Sequence, residues 1–291
     1  TDGAGHFVKM VHNGIEYADM QIISEIYHVS KSILGQSNHQ TADMMQKWQK
    51  TMLKSYLLEI TIVILRYEDK GEPLLEKILD VAGHKGTGQW TINEALQFGI
   101  AIPTITAAMN ERIISGNKSL RSSLSDLSIH TDKNKGRITK NMLKGALIFS
   151  RLVALAEGIH LIQYASKHYK WPIDIAEVAQ IWRGGCIIRS EMLLYVKRAF
   201  SINNEVNHLF EIPEIASLLL RYKSETEKLL SILIKCDISS PSISAALNYY
   251  KSMHTSYLPI NLIQAQRDYF GAHTYKIVEK GETIYHTKWG K

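Results

Sequence analysis

Gly3-Ala4-Gly5-His6-Phe7-Val8-Lys9-Met10-Val11-His12-Asn13-Gly14-Ile15-Glu16-Tyr17, running on into Ala18 and Ile22, sets the character of the fold. Val8, Val11, Ile15, Ala18 and Ile22 recur at the spacing of one helical face. At about 100° per residue, Lys9, His12, Asn13 and Glu16 gather on the opposite face, with Tyr17 at its edge. One side is suited to burial. The other presents an amine, an imidazole, an amide, a carboxyl and a phenol. Gly14, mid-helix, costs about 1 kcal/mol relative to Ala, which points to a close approach by backbone or ligand.

The same periodicity extends outward. Met142–Leu161 and Ile187–Ala199 read as further long helical patterns, and Asn261–Tyr275 as a helix running into Gly271. Alternating apolar and polar residues are scarce, so the expectation is an all-α chain without a large sheet. Polar connections are expected near Gln36–Gln40, Ser115–Lys135 and Ser201–Asn207, the middle one the longest. Ala42, Asp43, Gln46 and Trp48 are echoed by Ala176, Glu177, Gln180 and Trp182 at one fixed offset. This predicts a duplicated helical unit, residues 1–118 and 136–258, followed by a tail, 259–291. In that tail Thr274–Val278 and Thr283–His286 flank Lys280-Gly281 and read as an extended tail or hairpin, too small to stand alone.

Composition narrows the function. The 291 residues are 45% hydrophobic and 21% charged, which suits a sizeable core and excludes a disordered chain. A net charge of +6 fits an anionic partner. No basic run with interleaved aromatics points to nucleic acid, and no apolar run is expected to approach the ~20 residues of a membrane span. Cys186 and Cys236 form no metal-ligand or disulfide framework, so no metal is expected and a reducing, cytoplasmic setting is. Thr1–His6 lacks the features of a signal peptide. The chain opens beside a motif without an initiator Met and reads as a piece of something longer.

The segment Gly3–Tyr17 resembles the signature helix of the 6-phosphogluconate dehydrogenases. Lys85-Gly86-Thr87-Gly88 before Trp90-Thr91 is similar to that family's phosphate loop. Ile181-Trp182-Arg183-Gly184-Gly185-Cys186-Ile187-Ile188-Arg189-Ser190 looks like its central hallmark. Gln264-Ala265-Gln266-Arg267-Asp268-Tyr269-Phe270-Gly271-Ala272-His273-Thr274-Tyr275 resembles its C-terminal motif.

The resemblance implies the helical C-terminal domain of an enzyme that oxidises and decarboxylates 6-phosphogluconate to ribulose 5-phosphate with NADP. It makes Lys9 the general base and Glu16 the acid that protonates the enediol. The two stand roughly 10 Å apart along the helix axis, at opposite ends of one small sugar acid. It gives substrate hydroxyls to His12 and Asn13, and the phosphate to Tyr17, Lys85, Thr87 and Arg112. Arg267 and His273 would come from the tail of a partner subunit in a homodimer.

Gln89 departs from the pattern where a second lysine is common. No Gly-x-Gly-x-x-Gly follows a strand, and Gly83–Gly88 is no substitute, so NADP is expected to bind mainly outside these residues. Two functional readings stand: a catalytic half that turns over nothing unaided, and a non-catalytic helical module for dimerisation or sugar-phosphate binding. A β-hydroxyacid dehydrogenase, the nearest enzymatic rival, is disfavoured by the His12–Tyr17 continuation and the C-terminal motif.

Overall fold

The computed structural model describes residues 3–83, 85–125, 137–203 and 205–290. Among them are twelve α-helices and two minimal hairpins, distributed over two compact units, 1–249 and 250–291.

The first unit opens with α1 (Ala4–Ser32), α2 (Asn38–Trp48) and α3 (Tyr56–Arg66). The expected Gln36–Gln40 connection is shorter than read, because Ser37 and Gln40 form a reciprocal capping box that starts α2 at Asn38. Ser55 caps α3 in turn. A hairpin of β1 (Glu68–Asp69) and β2 (Glu72–Pro73) and a 3₁₀ turn (Leu74–Lys77) lead to α4 (Thr87–Phe98) and α5 (Pro103–Gly116). The polar stretch read as one long irregular connection contains another helix, α6 (Lys118–Ser125). The rest of that stretch, to Lys135, lies outside the described residues.

Next come α7 (Lys140–His168), α8 (Ile175–Arg183) and α9 (Met192–Ile202), in the same order as α1–α3 and with nearly the same lengths. Asp174 caps α8 through the amides of Ala176 and Glu177, at 2.7 and 3.1 Å. The two triplets meet at Ser55 and Ser190, bridged by backbone bonds from Tyr56 N to Arg189 O and from Glu191 N to Lys54 O. Then α10 (Pro213–Lys235) covers α7, and α11 (Pro241–Met253) closes the unit. Pro stands at the first position of α5, α10 and α11, where its missing N–H is not needed.

The core is α7. By length and hydropathy this helix meets the requirement for a membrane span, contrary to the expectation that no apolar run approaches that length. However, 94% of its most apolar window is covered by other parts of the protein. A helix apolar on every side is a helix buried on every side. It crosses α1 where Gly158 faces Val11 and Ile15.

Ionisable groups inside this core each have a structural duty. Arg151 of α7 donates from Nε and Nη2 to the two carboxylate oxygens of Asp19, at 3.1 and 2.8 Å, and from Nη1 to Ser55 Oγ. Glu157, fully buried on α7, accepts from the amides of Thr104 and Ile105 and from the Thr104 hydroxyl, so it caps α5. Burial pushes its carboxyl up to about 8, against the pull of those donors. Glu25 on α1 does the same for α11, accepting from Ser242 N and Ile243 N at 2.9 and 3.0 Å, and burial lifts it to about 7.

The second unit holds α12 (Ile260–Gly271) and a hairpin of β3 (Tyr275–Lys276) and β4 (Ile284–Tyr285). Its organiser is Asp268, which is fully buried. It accepts hydrogen bonds from Thr274 N, Thr287 N and the Trp289 indole, and pairs with His286 at 2.9 Å. Burial alone would raise its pKa, but these bonds outweigh it and hold the carboxyl far below the usual range. They supply the cohesion that so short a hairpin lacks by itself.

Candidate active site

The polar face of α1 is less open than its sequence implies. Lys9 is exposed and Asn13 and Glu16 are half-buried, but His12 is fully buried. The indole of Trp182, on α8, stands edge-on against the His12 ring with centroids 5.5 Å apart. His12 Nδ1 faces Lys9 Nζ at 3.4 Å, Asn13 Oδ1 at 3.2 Å and Glu16 Oε2 at 3.8 Å. Its Nε2 is buried without a hydrogen-bond partner among the described residues. Burial, reinforced by the Lys9 charge, lowers the imidazole to about 4 and outweighs the opposing bond to Asn13. A neutral imidazole therefore sits between an amine and a carboxyl.

Glu16 is the other titrating group of the face. Burial raises its pKa, opposed by the charges of Lys9 and Arg112 and assisted by Asp19. A carboxyl biased toward its protonated form can act as a proton donor.

Gly14 has a packing explanation. A Cβ there would come within 2.8 Å of Thr91 Cγ2 and 3.3 Å of Ile105 Cγ2, so α4 and α5 press directly on the α1 backbone. The Thr91 hydroxyl lies 2.9 Å from Met10 O and 3.0 Å from Thr87 O, tying the start of α4 to α1. The close approach expected at Gly14 is thus made by two helices and not by a ligand.

That tie places the glycine loop. Gly86 takes the left-handed backbone, φ 90°, that a side chain would resist. Thr87 and Gly88 then form the first turn of α4, whose amides have no intrahelical partner. Gly88 makes room for Tyr17, since an added Cβ would sit 2.7 Å from its ring. Above the same ring lies the Arg112 guanidinium, 3.7 Å from the centroid, which also donates to Gly83 O. Lys85, just ahead of this helix start in the chain, is exposed. Lys9, Asn13 and Thr87 line a cleft of about 700 Å³ with Phe7, Trp90, Glu94 and Trp171.

The first unit therefore brings Lys9, His12, Asn13 and Glu16 together on α1 and sets Tyr17, Thr87 and Arg112 around the α4 start. Arg267 and His273 belong to the second unit. Arg267 donates to Gln264 Oε1 at 3.1 Å, and His273 packs its ring near Gly271 and Phe270. Sequence reasoning missed Trp182 as the seat of His12, although Trp182 stood in both the echo and the hallmark motif. It also missed Glu94 and Trp171, for which no sequence signal pointed to the cleft. Among the described residues no cluster of His, Cys, Asp or Glu is arranged to hold a metal.

Comparison with known proteins shows the family. Residues 5–289 match the family model described as 6-phosphogluconate dehydrogenase, C-terminal domain. The NADP-dependent, decarboxylating 6-phosphogluconate dehydrogenase of Bacillus subtilis (strain 168) is 42% identical over 297 residues, covering 100% of this chain and 63% of that protein. The decarboxylating enzyme of Drosophila melanogaster is also 42% identical, across 99% of this chain and 60% of its own length. A Plasmodium falciparum 6-phosphogluconate dehydrogenase, solved in its apo form and in complexes with its cofactor NADP+ and its substrate 6-phosphogluconate, superposes with a TM-score of 0.94 at 39% identity. It covers 98% of this chain and 62% of that one. The chain thus spans less than two thirds of these relatives. It belongs to the 6-phosphogluconate dehydrogenase family, as the C-terminal domain of that family.

Proposed function

We propose that this chain is the substrate-binding and catalytic domain for oxidative decarboxylation of 6-phospho-D-gluconate to D-ribulose 5-phosphate and CO2. The observation that carries this is the joining of two sites. A base–imidazole–carboxyl face on α1 adjoins a cationic, hydroxyl-rich helix start that suits a phosphate. In this reading Lys9 accepts the proton of the oxidised hydroxyl and later returns it to the keto oxygen during decarboxylation. Glu16, biased toward protonation, then protonates the enediol carbon. His12 and Asn13 hold substrate hydroxyls. Tyr17, Lys85, Thr87 and Arg112 hold the phosphate.

Among the described residues no cradle is formed for the NADP required by this reaction. The described strands are two residues long, and none leads a glycine fingerprint into a helix. We therefore assign the cofactor to a nucleotide-binding part outside residues 1–291, and derive only proton transfers from this chain. A homodimer belongs to the same reading, with Arg267 and His273 supplied by the tail of a second copy. So does a cytoplasmic location, which suits two free thiols. A duplicated origin of the helical unit is supported by the matching order of α1–α3 and α7–α9 and by the bridge at Ser55 and Ser190.

Calorimetry with 6-phosphogluconate tests the assignment. The chain should bind it and not NADP, with affinity falling as salt is added. Arg112→Ala should weaken binding, and Arg66→Ala, which removes an exposed pair with Asp43, should not. Equal binding by both variants would overturn the phosphate site.

A further inference from the structure

The segment that delivers Lys85 and Thr87 to the site is not held by apolar packing. Ile78, Leu79 and Val81 are all exposed, and the preceding 3₁₀ turn has no fully buried residue, its Leu74 and Leu75 being only half-buried. Polar ties from the end of α5 and from α6 hold it instead. Asp80 receives Arg121 Nη1 on Oδ2 at 2.9 Å and pairs with Lys118 at 2.7 Å through Oδ1. The second guanidinium nitrogen of Arg121 donates to two carbonyls, Asp80 O at 3.2 Å and Ser115 O at 3.0 Å. One planar fork thereby joins the segment to the end of α5. Two residues further on, Ala82 N donates to Ser115 Oγ at 3.0 Å. Next, Gly83 O accepts from Arg112, whose guanidinium lies on Tyr17.

We propose that Arg121, acting through Asp80, is a positioning residue for phosphate binding. It fixes the residue 80–83 strap against α5, and so sets where Lys85 and the first turn of α4 meet the phosphate. The proposal rests on the phosphate site assigned above. Arg121 touches no part of that site itself. Its effect travels along the strap, which ends beside Arg112. The pair survives acidification, because the bonds from Arg121 and Lys118 hold the Asp80 carboxyl at about 2. An isolated exposed ion pair carries little energy. This one is reinforced by two carbonyl bonds on the same guanidinium, in a segment with no apolar anchor.

The experiment compares the unmodified chain with Arg121→Met, Asp80→Asn, the double variant and Arg121→Lys. Calorimetric titration with 6-phosphogluconate is read beside an NMR titration with gluconate, which lacks the phosphate. Arg121→Met should weaken 6-phosphogluconate binding about fivefold, the upper range for an exposed pair, and leave gluconate binding unchanged. Asp80→Asn should do the same, the double variant should be no worse than either single one, and Arg121→Lys should recover part of the loss. Amide hydrogen exchange should quicken over residues 79–86 and nowhere else.

Equal binding of 6-phosphogluconate by the unmodified chain and Arg121→Met would overturn the positioning role alone. So would equal losses for both ligands, or faster exchange throughout the first unit, each of which marks a general structural defect. Failure of the unmodified chain to bind 6-phosphogluconate would remove the phosphate site and this inference together.

Discussion

Gly158→Ala is the sharpest test of how α1 is seated. A methyl group at this position would lie 2.5 Å from Ile15 Cδ1, 2.6 Å from Ile15 Cγ1 and 3.3 Å from Val11 Cγ1. The Cδ1 contact could be relieved by turning the end of the side chain, but Cγ1 cannot leave without changing χ1. A β-branched residue in a helix has one strongly preferred χ1. Ile15 is 2% exposed and Val11 0%, so neither has room to retreat. The two helices must separate. Such overpacking costs about 1–3 kcal/mol, offset by about 1 kcal/mol of helix propensity gained on replacing Gly. The net loss of about 0–2 kcal/mol corresponds to a melting temperature lower by up to roughly 6 °C. Because Val11 and Ile15 lie opposite Lys9 and Glu16 on α1, ligand affinity should fall as well. Ile15→Ala alone should cost about 2–5 kcal/mol. Combined with Gly158→Ala, it should cost at least about 1 kcal/mol less than the sum, because the new methyl fills the vacated space. Calorimetric melting of the four proteins decides. A Gly158→Ala protein that melts higher than its parent, or singles that add to within about 0.5 kcal/mol, would refute the contact.

Asp19→Ala leaves the Arg151 guanidinium buried without its carboxylate and should cost about 3–5 kcal/mol in urea unfolding; a loss below about 1 kcal/mol would show that the pair is dispensable. His12 should make the domain acid-sensitive: its folded pKa of about 4 lies below the ordinary 6.5, so the unfolded chain takes up a proton that the folded chain refuses. Its contribution is whole above pH 6.5 and lost as pH falls toward 4, so His12→Gln should flatten that limb, and an unchanged slope would contradict the burial of the ring. With a nucleotide-binding domain joined ahead of it, Lys9→Met should still bind 6-phosphogluconate but lose turnover, and turnover within a few-fold of the parent would exclude Lys9 as the base.

Much of this molecule can be read from local patterns. The α1 stripe, the helical character of Met142–Leu161 and the chemistry of the Lys9–Glu16 face all follow from neighbours three or four positions apart. Motif likeness added the phosphate loop and Arg112. What escaped has one common cause: its partner is distant in sequence. Nothing near His12 announces that Trp182 will bury it. Glu25 and Glu157 look like ordinary charges on long helices until α11 and α5 begin against them. Gly14 announces a close approach, but only the packing of α4 and α5 says what approaches. The α7 pattern is hard to read for a different reason. A helix enclosed on all sides has no polar face to give it a phase.

The crossed placement of Glu25 and Glu157 has a further consequence. In the first half α5 is begun by a carboxyl group from the second, and α11 is begun by one from the first. A chain severed between α6 and α7 would give two fragments, each with a helix start whose amides are bare and a carboxyl group with nothing to receive. Neither can finish itself, and each finishes the other. Breaking the covalent link would therefore turn an intramolecular folding reaction into a bimolecular one, governed by fragment concentration and not by chain continuity. At these two helix starts, each half of the first unit depends on the other.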